Sequence, residues 1–130
     1  ISIESRGVNA PVYFGLNRAS LRYGVGVSSK ENQKPFISGK KDIVGGYDET
    51  YFKSLKYVKI GDKVTVTSKD KVISYEVVDC FEAEKGDEKV NDYDCDLVLY
   101  SIFSNYSENG GKCFYALLNK TNEEVNANEQ

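Results

Sequence analysis

Three thiols are the first side chains to weigh for chemistry: Cys80, Cys95 and Cys113. A cysteine attacks as its thiolate, and the usual proton acceptor beside it is an imidazole. This chain contains 0 histidines. That removes Cys-His and Ser-His arrangements and every His-ligated metal site. None of the thiols forms a C-x-x-C pair, so a zinc site is not expected. The odd count leaves at least one thiol free or bridged to another molecule. It is also too small for a disulfide scaffold, and it leaves the redox compartment open. The plain reading makes the cysteines buried or half-buried strand residues. Asn91 to Asp96 (NDYDCD) carries acidic residues at alternate positions, with Asp87 and Glu88 close by. It lacks the glycine-centred pattern of a calcium loop and reads as a solvated acidic connection. No metal and no cofactor is expected.

The rest of the composition fits an ordinary globular domain. The chain has 130 residues, 40% hydrophobic and 28% charged, with a net charge of −3. That length closes a single core. The acidic balance gives no electrostatic reason to bind nucleic acid. No apolar run approaches the ~20 residues needed to span a bilayer, so no direct membrane contact is expected. The sequence begins at Ile1 rather than Met, as a fragment of a longer protein does. A missing leader or anchor therefore carries no information.

Strand signals dominate the elements that must position these residues. Pro11 to Gly15 (PVYFG) is short and β-rich. Asp62 to Thr67 (DKVTVT) puts Val64 and Val66 on one face and Lys63, Thr65 and Thr67 on the other. Val72 to Phe81 is rich in β-branched and aromatic residues. Leu97 to Phe103 (LVLYSIF) is nearly continuous apolar, as a strand buried on both faces is. Lys112 to Leu118 (KCFYALL) is similar, and the polar segment Ser104 to Gly111 between them turns the chain. The two form a hairpin whose register sets Cys113 opposite Ile102. Helical signals are short. Asn17 caps LNRASLRY, and Asp48 or Thr50 caps TYFKSLKYV. Glu82 to Asp96 reads as a charged surface connection, and 119–130 as a polar, frayed tail. The domain proper is 1–118. It is mostly β, a closed or nearly closed barrel with two short helices.

The order of these segments resembles a known family. PVYFG, LRYGVG, GGYDETYFKSL, KIGDKVTV, LVLYSI and KCFYALL follow one another as in sortase domains, and are most similar to the class D type. There the pattern runs PVYxG, LxxGVGHYP, V-V-x-A-G-H-R-D-T-F-F-R-x-L, IGDxI, T-L-x-T-C and R-F-I-V. The resemblance covers Ile1 to about Leu118. It implies the closed sortase β-barrel of about eight strands with two or three short helices. It also implies a Gram-positive cell-surface cysteine transpeptidase that cleaves a sorting signal and attaches proteins to cell wall or pilin subunits. Such chemistry needs a thiol, a histidine and an oxyanion-steadying arginine.

On the ungapped match those three roles fall on residues that do not supply them. The histidine position is Tyr47, and Ser38-Gly39-Lys40 offers Lys40 as an alternative. Tyr47 is preferred because Thr50, Phe52 and Leu55 then match as well. The cysteine position is Ile102. The arginine position is Cys113, with Lys112 beside it. An isoleucine cannot attack a carbonyl, and a phenol of ordinary pKa, ~10, is a weak base at neutral pH. Ser101 is adjacent in sequence but alternates to the other face. Lys112 also points away from Cys113.

The expectation is therefore a catalytically inactive, sortase-like domain outside a Gram-positive cell, acting as a binding domain or a structural module. Its candidate partners are a sorting-signal-like peptide, a pilin, surface or spore-surface protein, or an active sortase. Candidate binding residues are Tyr47, Tyr100, Ile102, Tyr106, Lys112 and Cys113. Bulky Tyr47 and Ile102 also suit a filled groove and a purely structural module. The alternative is a cysteine transpeptidase or peptidase with chemistry rewired through Cys113.

Overall fold

A computed structural model describes residues 1–28, 36, 41–68, 71–84, 94–102 and 112–126. Among these, the chain builds one nine-stranded sheet. In chain order the elements are β1 (Ser2–Ile3), β2 (Val8–Asn9), β3 (Val12–Phe14), α1 (Arg18–Tyr23), β4 (Val25–Ser28), β5 (Asp42–Tyr47), β6 (Lys63–Thr67), β7 (Lys71–Glu84), β8 (Leu97–Ile102) and β9 (Lys112–Asn126). Tight 3₁₀ turns occupy Glu4–Arg6 and Leu55–Tyr57.

The sheet order is β2-β1-β6-β7-β9-β8-β5-β4-β3. The mostly-β expectation is met, but the ladder is open and curled rather than closed. Its two edges, β2 and β3, are consecutive in the chain and separated only by Ala10 and Pro11. Three virtual bonds of ~3.8 Å limit how far Asn9 and Val12 can part. The edges are thus held together covalently. Pro11 has no N–H to extend a ladder across the seam. Its carbonyl instead accepts from the Val25 amide at 2.9 Å.

The interior face carries Ile3, Val25, Val44, Phe52, Val64, Tyr75, Leu97, Leu99 and Leu118. Alternation along β6 is as expected, with Val64 and Val66 buried and Lys63 and Thr67 exposed. β8 is buried along five of its six residues, as its apolar run requires.

Helix α1 forms as the capping signal predicts: Asn17 Oδ1 accepts from the Ser20 amide at 3.0 Å. The second expected helix does not form. Residues 48–54 are turns, followed by the 3₁₀ turn at Leu55–Tyr57, and Ser54 gives no side-chain cap. The reason is the period. Phe52, Leu55 and Val58 are buried at every third position, which a 3₁₀ path satisfies.

Two strands run further than expected. β7 extends to Glu84, taking the first residues of the charged connection into the ladder. β9 runs on to Asn126, so residues 119–126 are a strand and not a frayed tail. The backbone of β7 supplies their partners, Lys71 with Asn126 and Tyr75 with Lys120 among them. Ladder bonds need amides, not apolar side chains, and composition alone does not report them.

Candidate functional site

Strands β5 and β8 pair in parallel, and their register makes Tyr47 and Ile102 direct partners. The Asp48 amide then donates to the Ile102 carbonyl at 3.0 Å, which pins the two strand ends together. Strands β8 and β9 pair antiparallel, with Leu97 opposite Leu118 and Tyr100 opposite Tyr115. This is the expected register. Continued toward the turn, it carries Cys113 to Ile102. Ser101 faces the other way: it is 1% exposed, and its Oγ accepts from the Phe114 amide at 3.1 Å.

The face shared by Tyr100, Ile102, Cys113 and Tyr115 is a second apolar layer on the side of the sheet away from the main core. Three rings cross it. Phe81 stacks on Tyr115 at 5.7 Å between centroids, and Tyr115 on Tyr100 at 5.8 Å. Such offset stacks contribute about 0.5–1.5 kcal/mol each beyond area burial. The row ends over Gly45 of β5. A Cβ there would stand 2.9 Å from the Tyr100 ring and 3.0 Å from Ile102 Cδ1. Gly46 does the same for the opposite face, where a Cβ would meet the Phe52 ring at 2.8 Å. The glycine pair thus lets one strand receive an aromatic ring on each side.

The layer is dry enough to suppress ionisation. Burial, and then the neighbouring Tyr115 and Cys113, push the Tyr100 hydroxyl up to about 12. Burial also raises the Cys95 thiol, against the pull of Lys41. Cys113 is only 3% exposed. Cys80 is half-buried in β7, and all three cysteines are free. Cys80 and Cys113 lie on strands as expected, and Cys95 sits just before β8.

The expected site residues therefore divide. Tyr47, Tyr100, Ile102 and Cys113 come together. Lys112 opens β9, and the reading of its side chain lies outside the described side chains. Tyr106 and Lys40 lie outside the described residues. No group of acidic, cysteine or histidine side chains able to hold a metal occurs among the described residues.

One cleft adjoins this region and another lies apart from it, and the sequence reading singled out neither. One, of about 610 Å³, opens beside Tyr47 and is lined by Arg18, Ala19, Leu21, Arg22, Tyr23 and Thr50. Its signal was legible: two arginines at i and i+4 in LNRASLRY share a helix face. The other, of about 530 Å³, lies at the sheet seam and includes Pro11, Tyr13, Phe14, Phe36 and Val66.

The sortase domain model matches residues 1–107. This chain belongs to the sortase family. Sortases are typically cysteine transpeptidases of the Gram-positive cell surface that act on peptide or protein substrates. A comparison with curated proteins finds no match. Among solved structures, sortase A from Corynebacterium diphtheriae is similar at TM-score 0.75 and 21% identity, over 94% of this chain and 59% of that one. Listeria monocytogenes sortase A gives 0.76 and 22%, over 98% and 88%. The Clostridium perfringens sortase D5 transpeptidase gives 0.72 and 18%, over 92% and 76%. At these identities the likeness speaks for the fold. This chain spans less than two thirds of the corynebacterial sortase. No described helix is long and apolar enough to cross a membrane.

Proposed function

We propose that this sortase-fold domain has lost transpeptidase chemistry and works by holding a protein or peptide partner outside a Gram-positive cell. One observation carries the reading: Tyr47 and Ile102 are direct partners across β5 and β8. Where the family resemblance sets an imidazole against a thiol, a phenol faces an aliphatic side chain. Neither can generate a nucleophile at neutral pH. Cys113, at the arginine position, lies buried beside Tyr100 and Tyr115 without an imidazole anywhere in the chain. The partner classes remain those the family suggests: a sorting-signal-like peptide, a pilin, surface or spore-surface protein, or an active sortase.

A second reading has its own support. Tyr100 lies over Gly45 and fills the space on that face of β5, which suits a structural module with a filled groove.

Iodoacetamide labelling across pH, read cysteine by cysteine by mass spectrometry, tests the loss of chemistry. Cys113 stays unlabelled in the native protein, and sorting-signal peptides are not cleaved. Fast labelling of Cys113 with a pKa well below ~8.5, together with peptide cleavage, would overturn the reading in favour of a rewired cysteine enzyme.

A further inference from the structure

The cleft beside Tyr47 has a chemistry of its own. Arg18 and Arg22 stand one helical turn apart on α1, both exposed, and both line it. Among the described residues its other lining side chains are Ala19, Leu21, Tyr23, Tyr47 and Thr50, none of them a carboxylate. The described lining thus carries two positive charges and no negative one, with Asp48 and Glu49 bordering it between Tyr47 and Thr50, on a chain whose net charge is −3. The Arg22 guanidinium lies 5.6 Å over the Tyr23 ring, which limits its freedom before any ligand arrives. Leu21 is 4% exposed and anchors α1 to the domain, so the two arginines project from a fixed support. The Asn17 cap holds the first turn at the same time.

We infer that this cleft is a recognition site for an acidic peptide segment, in which Arg18 and Arg22 engage side-chain carboxylates. The inference deepens the proposed function and rests on its peptide-binding reading. A guanidinium presents paired donors that match a carboxylate, and the fit is lost to a neutral amide. Tyr23, Tyr47 and Thr50 offer ring faces and hydroxyls to the adjoining peptide. Charge complementarity selects the occupant. The cleft volume, about 610 Å³, accommodates a few side chains rather than a folded domain. The bound segment would run past the end of β5 and lie against Tyr47, next to the Tyr47–Ile102 pair.

The test uses the whole chain and two octapeptides, one of alternating Gly and Glu and one of alternating Gly and Gln. Isothermal titration calorimetry and amide chemical-shift mapping read both. The Glu peptide binds about tenfold tighter than the Gln peptide at low salt, and added salt removes the advantage. Arg18→Gln with Arg22→Gln abolishes the difference, while Arg18→Lys with Arg22→Lys keeps only part of it. Both pairs are surface changes, and an unchanged melting curve verifies the fold. Shifts cluster on 18–23, Tyr47 and Thr50. Equal affinity for both peptides would sink the acidic preference while leaving peptide binding intact. Binding that persists in the Gln variants, or no binding of either peptide, overturns the inference. Arg-dependent binding to phosphatidylglycerol vesicles without peptide binding overturns it in favour of a membrane surface. Cleavage of either peptide through Cys113 would instead overturn the loss of chemistry, and calorimetry would still report the arginine contact separately.

Discussion

The ring of Tyr100 occupies the place where a side chain on Gly45 would stand: a Cβ there would lie 2.9 Å from the ring's Cε1 and Cζ. Each residue makes room for the other. The family pattern has alanine at the position of Gly45 and leaves the position of Tyr100 open, so the glycine is the departure that makes room for the ring. Gly45 is paired with Tyr100 across β5 and β8, which is why the contact is so direct.

Gly45→Ala should therefore destabilise the domain by about 1–3 kcal/mol, the usual cost of overpacking. Tyr100→Leu alone leaves a void and also destabilises, by about 2–4 kcal/mol. The two changes together should cost less than their sum, since the leucine makes room for the new methyl group. Urea unfolding of the four proteins gives the coupling energy directly. Strict additivity would mean that the contact has no energetic weight.

The same tyrosine sets a pH limit. Its hydroxyl is raised to about 12 in the folded chain, mainly by burial. An unfolded tyrosine ionises near ~10. A raised folded value means that the neutral form is favoured by folding. The contribution is present in full below ~10 and is lost as pH rises toward the folded value. Unfolding free energy should fall by up to about 3 kcal/mol across that interval. Tyr100→Phe should flatten this part of the profile. Tyrosinate absorbance followed alongside unfolding checks both statements.

The fold was legible where side-chain pattern and backbone pairing agree. β8 announces itself as a continuous apolar run, and the hairpin's polar turn fixes the β8–β9 register that brings Tyr100 to Tyr115. β6 shows its alternation, and Asn17 its cap. The misses share a cause. Strand β9 past Leu118 and strand β7 past Phe81 are polar, and backbone bonding alone makes them strands. Phe52, Leu55 and Val58 suit a period of three, which an α-helical reading passes over. At the site, Tyr47, Ile102 and Cys113 were found through the family resemblance. The Gly45–Tyr100 contact needs three dimensions, and so does the meeting of the Arg18–Arg22 face with Tyr47 and Thr50, because each joins elements far apart in sequence.

The polar extension of β9 should contribute to stability. Lys120 is its clearest tie: its amide donates to Asp96 Oδ2 at 2.7 Å and its Nζ to the Phe36 carbonyl at 2.7 Å. Thr121 Oγ1 reaches the Ser74 carbonyl at 3.4 Å. Ending the chain at Leu118 removes these bonds and frees the edge of β7 from Lys71 to Glu76. With ~1 kcal/mol net for each ladder bond, the loss should be about 2–4 kcal/mol. Native-state hydrogen exchange should show it first at amides 71–76, which then open by local rather than global unfolding. Unchanged exchange there would mean that this part of the ladder is not formed in solution.

Restoring two of the family's groups should restore a reactive thiol without restoring turnover. In Tyr47→His with Ile102→Cys, the new imidazole and thiol would be direct partners on adjacent parallel strands, ~4.8 Å apart in the backbone. That spacing lets the imidazole draw the proton from the thiol. Labelling should then give a thiol pKa below ~8.5 at position 102. Peptide cleavage should nevertheless stay at background. The oxyanion still lacks a guanidinium, since Cys113 occupies the matching place, and loss of one such donor alone costs ~10²–10³ in rate. The Tyr100 ring also still fills the approach over Gly45. Adding Cys113→Arg does not repair this directly, because a charge buried at a 3% exposed site in the cluster of Tyr100 and Tyr115 should destabilise the fold. Measurable cleavage by the two-residue variant would show that position 102 is open to substrate and that the aromatic layer is no barrier.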